Sequence, residues 1–215
     1  MRKLILFITF IIIFFIYSLY HNSSINCLII NDNSNNVDYY LNKLLESRYQ
    51  EVFINSSYKN TRINGLIDDI RKNKTVRHNN QEYFLKKELR ECDYLIINMG
   101  MLELDKLYKP FEKDNNDSLN ELLELVKNML SEIKKYAKER IIFIGYYNPS
   151  NYYNQQTDSF FYEMDIRLNR LMMNNDITYI STYQLVKGNP YKKNFISLNA
   201  LGEEKIANLI NFYIN

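Results

Sequence analysis

The chain has 215 residues with only five glycines, and its formal net charge is +2. Two of its 27 Lys and Arg residues are Arg2 and Lys3, so the remainder carries 25 basic and 25 acidic residues and is neutral overall. This balance excludes an electrostatic footprint for nucleic acid, and the scarcity of glycine excludes a Gly-rich phosphate-binding loop.

The N-terminus predicts a membrane anchor. Arg2 and Lys3 precede an apolar run over residues 4–20, interrupted only by Thr9 and Ser18, and about 20 apolar residues are enough to cross a bilayer. A cleaved signal peptide has a shorter apolar region followed by small residues, and this exit offers mostly large ones. We therefore predict an uncleaved anchor over residues 1–20. The two basic residues place the following domain, residues 25–215, on the extracytoplasmic side of the cell membrane.

The two cysteines, Cys27 and Cys92, have no metal-ligand spacing. An external compartment permits a disulfide between them, but each stands just before an apolar run. Two buried free thiols are therefore the favoured prediction, and the sequence predicts no metal site and no cofactor.

Five short apolar runs, rich in β-branched residues, predict buried strands. Continuous runs without alternation are typical of a parallel sheet covered on both faces. The predicted strands cover residues 27–30, 51–54, 94–97, 141–144 and 177–180. Helical patterns over 37–48, 63–72, 118–136, 160–173 and 202–213 separate and follow them. This alternation predicts one α/β domain, a three-layer α/β/α sandwich around a five-stranded parallel sheet.

The sequence also predicts where the longest helix begins and which segments are loops. Ser118 with Glu121 three residues later has the pattern of a capping box, which predicts that the longest helix begins there. The segments 74–80, 113–117 and 146–158 are polar or rich in Tyr and Asn, and we predict loops for them.

Three segments of the chain carry a family resemblance. They are residues 89–100, residues 142–149, and the stretch 199–202 with Ile206 and Ala207. In order and in composition they resemble the SGNH/GDSL hydrolase family, particularly its small membrane-anchored bacterial members. The resemblance covers nearly the whole domain after the anchor and implies the SGNH variant of the flavodoxin-like fold, with a site beyond the carboxyl ends of the strands.

The family's catalytic positions are all substituted here. Active members are ester hydrolases that use a Ser nucleophile, a His base, an Asp three residues before the His, and an oxyanion-binding Asn. The resemblance places Asn33 at the nucleophile position and Leu102 at the oxyanion Asn, with Asn194 and Ser197 at the Asp and His positions. It therefore implies a catalytically degenerate domain that acts as a binding or interaction module.

An active ester hydrolase or carbohydrate deacetylase with relocated residues is the alternative. Ser34 is the candidate nucleophile, and a Ser hydroxyl needs a base to become reactive. The two histidines, His21 and His78, lie away from the predicted site. Asp32 or Glu103 could serve as a carboxylate base, although a solvated loop position is the favoured interpretation of Glu103.

The candidate binding residues are Asp32, Gly100, Tyr147 and Asn148. Tyrosines at 146, 147, 152 and 153 flank Asn148, and aromatic rings beside amides suit sugar rings. A loop simply packed on the domain is the competing interpretation. The expected partners are the membrane, through residues 1–20, and a cell-envelope glycan or another envelope protein. An unrelated flavodoxin-like domain for a flavin or nucleotide is a third hypothesis, which the absence of a phosphate-binding turn after Ile30 disfavours.

Overall fold

A computed structural model of the protein describes residues 7–12, 24–32, 36–58, 62–78, 81–107, 116–137, 140–147, 155–183, 185 and 198–214. The strands are β1 Ser24–Asn31, β2 Glu51–Tyr58, β3 Thr75–His78, β4 Gln81–Phe84, β5 Tyr94–Asn98, β6 Arg140–Ile144 and β7 Thr178–Ile180. The helices are α1 over residues 7–12, α2 Val37–Glu46, α3 Ile63–Lys72, α4 Leu85–Glu91, α5 Met101–Leu107, α6 Asn116–Ile133, α7 Gln155–Met173 and α8 Ala200–Tyr213.

Five strands form one parallel sheet in the order β2-β1-β5-β6-β7. This confirms the predicted sheet, and each predicted strand lies within or next to an observed one. The central strands are buried on both faces: Leu28, Ile30 and Ile96 have no exposed surface. Such runs lack alternation because neither face of the sheet meets water.

Helices cover both faces of the sheet. On one face α2 packs against α8, and on the other α3, α4, α5, α6 and α7 form a continuous layer. The strand order reverses direction after β2, and right-handed crossovers then place helices α3 to α7 on the opposite face from α2. The predicted three-layer sandwich is therefore confirmed.

The prediction of a loop over residues 74–80 is wrong. Thr75–His78 pairs antiparallel with Gln81–Phe84 in a two-stranded hairpin that lies beside β2. Its strands are polar and largely exposed, so they lack the apolar runs on which the strand prediction depended.

The capping-box prediction is also wrong, because α6 begins at Asn116 and already contains Ser118. The Ser118 hydroxyl donates to the carbonyl of Leu107, at a distance of 3.0 Å, and so connects α6 to the end of α5. Residues 108–115, including most of the predicted loop, lie outside the described part of the chain.

At the N-terminus the described residues are those of α1. All six are exposed, including Phe7 at 62% and Phe10 at 68%. Within the described residues, none of the helices combines the length and the apolarity that a membrane crossing requires. Residues 1–6 and 13–23 lie outside that part, so the anchor over residues 1–20 stays a prediction.

Both cysteines are free and buried, as the sequence predicted. Burial, followed by the charge of Asp93 and then by Cys92, raises the pKa of the Cys27 thiol to about 12. Because a thiol reacts as its thiolate, Cys27 is an inert core residue at neutral pH.

Candidate active site at the carboxyl edge

Asp32 is the first residue after β1 and lies beside the end of β5. Asn31 is in register with Asn98, and the amide of Asp32 donates to the Asn98 carbonyl at 3.1 Å. This bond continues the ladder of parallel strands by one residue and aims the Asp32 side chain at the turn that follows β5.

The Asp32 carboxylate organises that turn. Its Oδ2 accepts from the amide of Gly100 at 2.7 Å and from the amide of Leu102 at 3.0 Å. Gly100 has a φ of +117°, a conformation that a residue with a Cβ adopts only under strain. Asp32, a predicted binding residue, is thus in direct contact with the turn that contains Gly100 and Leu102.

Burial dominates the electrostatics of Asp32, which is 1% exposed. Burial raises the pKa of its carboxyl to about 6, against the lowering effect of the Leu102 and Gly100 amides, and the charge of Glu103 raises it further. Among the described residues Oδ1 has no hydrogen-bond partner. One oxygen of Asp32 is therefore fully used by the turn, and the other remains available.

The interpretation of Glu103 as a solvated loop carboxylate is wrong. Glu103 is 6% exposed, and its Oε1 accepts from the amide of Ile63 at 2.9 Å, at the beginning of α3. A carboxylate is stabilised at a helix N-terminus by the unpaired amides and the helix dipole. The partner is 40 residues away along the chain, so no local pattern reveals the contact.

Tyr146 is a packed core residue. Its hydroxyl donates to the carbonyl of Met99 at 2.6 Å, and a Cβ added to Gly100 would lie 1.9 Å from the Tyr146 hydroxyl oxygen. Burial, then the charges of Asp32 and Glu103, raise the pKa of Tyr146 well above its ordinary value. For Tyr146 the packed-loop interpretation is therefore confirmed.

Tyr147 is buried as well, at 5% exposure, but its hydroxyl has no hydrogen-bond partner among the described residues. Burial and then the charge of Asp32 raise the pKa of Tyr147 above its ordinary value. Tyr147 thus brings a polar group to the surroundings of Asp32. The other members of the predicted aromatic loop, Asn148, Tyr152 and Tyr153, lie outside the described residues.

A contact that the sequence did not suggest joins the loop after β1 to the start of α8. The Glu203 carboxylate accepts from the backbone amide of Asn36 at 3.1 Å and from its side-chain amide at 3.3 Å. Glu203 precedes Ile206 and Ile210 by three and seven residues, a helical spacing that places it on the buried face. This spacing is the sequence signal from which the burial of Glu203 could have been predicted.

Four predicted site positions, Asn33, Ser34, Asn194 and Ser197, lie outside the described residues. On the two sides of Asn33 and Ser34 in the chain, Asp32 contacts the turn at Gly100 and Asn36 contacts Glu203. Asn199 also begins α8 as its N-cap and accepts from the Gly202 amide at 3.1 Å.

Three buried polar atoms without partners accumulate at this edge of the described structure. They are Asp32 Oδ1, Glu103 Oε2 and the Tyr147 hydroxyl oxygen. Buried polar atoms are nearly always hydrogen-bonded, to protein or to another molecule. The arrangement can accept from hydroxyl or amide donors and donate once through the phenol. No group of three or more His, Cys, Asp or Glu side chains suited to a metal ion occurs in the described part.

No protein-family model matches the sequence, and no curated protein matches it either. Solved structures do match its fold. The acetylxylan esterase Axe2 from Geobacillus stearothermophilus superposes with a TM-score of 0.61 over 91% of this chain and 96% of the esterase, at 13% identity. The chain has the SGNH-hydrolase fold.

A second SGNH-fold structure, a diltiazem-metabolizing enzyme of gut microbes named BT4096, matches with a TM-score of 0.63 at 9% identity. The match covers 89% of this chain but 47% of that enzyme. Three of the matching Axe2 structures are of catalytic mutants, in which a serine, an aspartate or a histidine is replaced by alanine. At these low identities the likeness establishes the fold alone.

Proposed function

We propose that this protein is a membrane-anchored, extracytoplasmic SGNH-fold domain that binds a ligand at the carboxyl edge of its sheet and does not hydrolyse esters. One observation carries the proposal. The Asp32 carboxylate holds the turn after β5 through the amides of Gly100 and Leu102, and the turn then presents an apolar side chain, Leu102, where the family has an amide donor. An oxyanion needs preorganised donors at that place.

The remaining family positions support the same proposal. Asn33 has a carboxamide where a nucleophilic hydroxyl is needed, and Ser197 has a hydroxyl where an imidazole base is needed. Asn194 cannot supply the negative charge that orients and stabilises a protonated base. The site therefore keeps the turn that Asp32 holds, while the side chains at the family's catalytic positions are of other chemical types.

The unpartnered atoms favour a ligand rich in hydroxyl groups. Asp32 Oδ1 and Glu103 Oε2 accept hydrogen bonds, and the Tyr147 hydroxyl can both donate and accept. A sugar ring offers several hydroxyls at close spacing, so a cell-envelope glycan is the proposed ligand class.

The proposed location depends on the N-terminal segment. The apolar side chains of α1 are left uncovered by the domain, and burying exposed apolar surface in lipid is favourable. We place residues 1–20 in the membrane, with the two basic residues on the cytoplasmic side.

The first test is hydrolysis of p-nitrophenyl acetate and of acetylated xylan by the full chain in detergent. We expect no rate above that of the buffer, because in a serine hydrolase the loss of the nucleophile or the base costs about 10⁶-fold. Release of p-nitrophenol and of acetate are the measurements, and an active acetylxylan esterase is the positive control.

Hydrolysis that Ser34→Ala or Asn33→Ala abolishes would overturn the non-hydrolytic part of the proposal. Hydrolysis that neither substitution changes would point to a contaminating esterase, which a second purification step would remove.

The second test is co-sedimentation of the full chain with purified peptidoglycan. We expect Tyr147→Phe to weaken binding about 3- to 10-fold, since a hydrogen bond to a ligand is worth about 0.5–1.5 kcal/mol. Tyr136→Phe makes the same change at the end of α6, at the opposite edge of the sheet, and serves as the control. Equal binding by the wild type and Tyr147→Phe would exclude the proposed role of this hydroxyl.

The second candidate function is an active ester hydrolase or carbohydrate deacetylase. The extent of the match to an acetylxylan esterase, over nearly the full length of both chains, favours it. It requires Ser34 as the nucleophile with Asp32 or Glu103 as the base, and the hydrolysis test above decides between the two functions.

A further inference from the structure

A cavity lies far from the carboxyl edge, between the β3–β4 hairpin, α4 and the edge strand β2. Its volume is about 520 Å³, and its lining includes Asn26, Phe53, Tyr83, Phe84 and Glu88. Asn26 is in register with Phe53 and stands six positions before Asp32, about 20 Å away along an extended strand. The cavity, hereafter the hairpin cavity, is therefore a separate site.

Its most unusual lining group is the carboxylate of Glu88, which is 7% exposed. Glu88 Oε2 accepts from the Asn55 side-chain amide at 3.0 Å, and the described residues supply Glu88 with no ion-pair partner. A buried carboxylate that lacks a cation is costly to keep charged. The hairpin cavity thus contains a buried carboxylate with no cationic partner among the described residues.

The other acidic residues of the lining are compensated. Arg77 lies 2.7 Å from Glu82, and Lys87 lies 3.8 Å from Glu91. Asn26 adds a second acceptor, because its Oδ1 is buried without a hydrogen-bond partner in the described structure. Among the described residues, the hairpin cavity therefore offers free hydrogen-bond acceptors to a ligand that donates. Its carboxylate without an ion-pair partner, Glu88, favours a positively charged ligand.

Aromatic rings complete the lining. The rings of Phe53 and Tyr83 lie 5.8 Å apart at an interplanar angle of 34°, and Phe84 is 45% exposed. Aromatic faces attract cations. A volume of this size fits a small organic molecule, whereas the described residues provide no group of three or more His, Cys, Asp or Glu side chains for a metal ion.

We propose that the hairpin cavity binds a small organic cation, a primary ammonium group on a short aliphatic chain. The ammonium group pairs with Glu88 and donates to neighbouring acceptors, and the aliphatic chain lies against the aromatic rings. Anionic ligands are disfavoured by Glu88, and neutral apolar ligands leave its charge uncompensated.

The test is calorimetric titration of the full chain in detergent with pentylamine, with 1-pentanol as the neutral probe of the same chain length. We expect saturable binding of pentylamine and none of 1-pentanol. Glu88→Gln keeps the side-chain size and an acceptor for Asn55, and removes the charge. It should raise the Kd about 10-fold or more, as expected for loss of a hydrogen bond to a charged group.

Two further variants make the result decisive. Glu124→Gln removes an exposed carboxylate on α6 that pairs with Lys127 at 3.2 Å, and should leave the Kd unchanged. Phe84→Ala removes an exposed ring, so the fold should tolerate it, and the Kd should rise about 2- to 5-fold through the lost cation–π contact. If Glu88→Gln fails to fold, as judged by its thermal transition, Phe84→Ala decides.

Absence of saturable pentylamine binding, equal binding of 1-pentanol, or an unchanged Kd in a folded Glu88→Gln variant would overturn the proposal. Peptidoglycan co-sedimentation by Glu88→Gln should equal that of the wild type. Failure at the hairpin cavity is thus distinguishable from failure of the function proposed at the carboxyl edge.

Discussion

Gly100→Ala should destabilise the domain by about 3–5 kcal/mol, a large share of the 5–15 kcal/mol typical of a folded protein. A φ of +117° is strained for alanine, which costs about 1–3 kcal/mol. The new Cβ would also lie 1.9 Å from the Tyr146 hydroxyl oxygen. Because Tyr146 is buried and held by the Met99 carbonyl, it cannot move aside without further loss.

Chemical denaturation followed by circular dichroism measures this effect. Gly65→Ala is the matched control, since Gly65 lies inside α3, where alanine is the better helix former. The double variant with Tyr146→Phe should recover only part of the loss, because the ring Cζ atom still lies 2.6 Å from the added Cβ. A free energy of unfolding within about 0.5 kcal/mol of the wild type would contradict the described turn.

Asp32→Asn should remove a pH dependence of stability between about pH 4 and pH 6. The carboxyl pKa is 3.8 in its ordinary state and about 6 in the fold. Between these values the folded protein holds a proton that the unfolded chain has released. The free energy of unfolding therefore falls as the pH rises through this window, by up to about 3 kcal/mol from this group.

The asparagine variant keeps an acceptor for the Gly100 and Leu102 amides but cannot ionise. We expect its free energy of unfolding, relative to the wild type, to increase as the pH rises from about 4 to about 6 and to be constant above. Urea denaturation at a series of pH values gives this difference. Asp68→Asn, the same change at an exposed carboxyl of α3, is the control. A difference independent of pH would show that Asp32 is not desolvated as described.

The sheet could be predicted because its strands bury both faces. Runs such as Leu28 to Ile30 and Ile141 to Ile144 must be continuously apolar when no side of the sheet meets water. The β3–β4 hairpin was not predicted, for the converse reason. Its strands are exposed and therefore carry polar residues, as Gln81–Phe84 does. The short helices α4 and α5 have too few turns for a periodic signal.

The site was predictable only where it follows the chain locally. Asp32 and Gly100 come directly after apolar strands, so their place at the carboxyl edge follows from the fold class. The contacts of Glu103 with Ile63 and of Glu203 with Asn36 connect residues 40 and 167 positions apart. Such pairings depend on how the helices are packed, which no short pattern encodes.

The direction of β1 has a consequence for which molecules can reach Asp32. The strand runs for eight residues from Ser24 to Asn31, about 26 Å at the usual rise. A segment that enters at Ser24 meets the sheet at its amino edge, whereas Asp32 lies beyond the opposite edge. If residues 1–20 are anchored as proposed, we expect Asp32 to face away from the bilayer and its ligands to reach it from the cell wall or the medium.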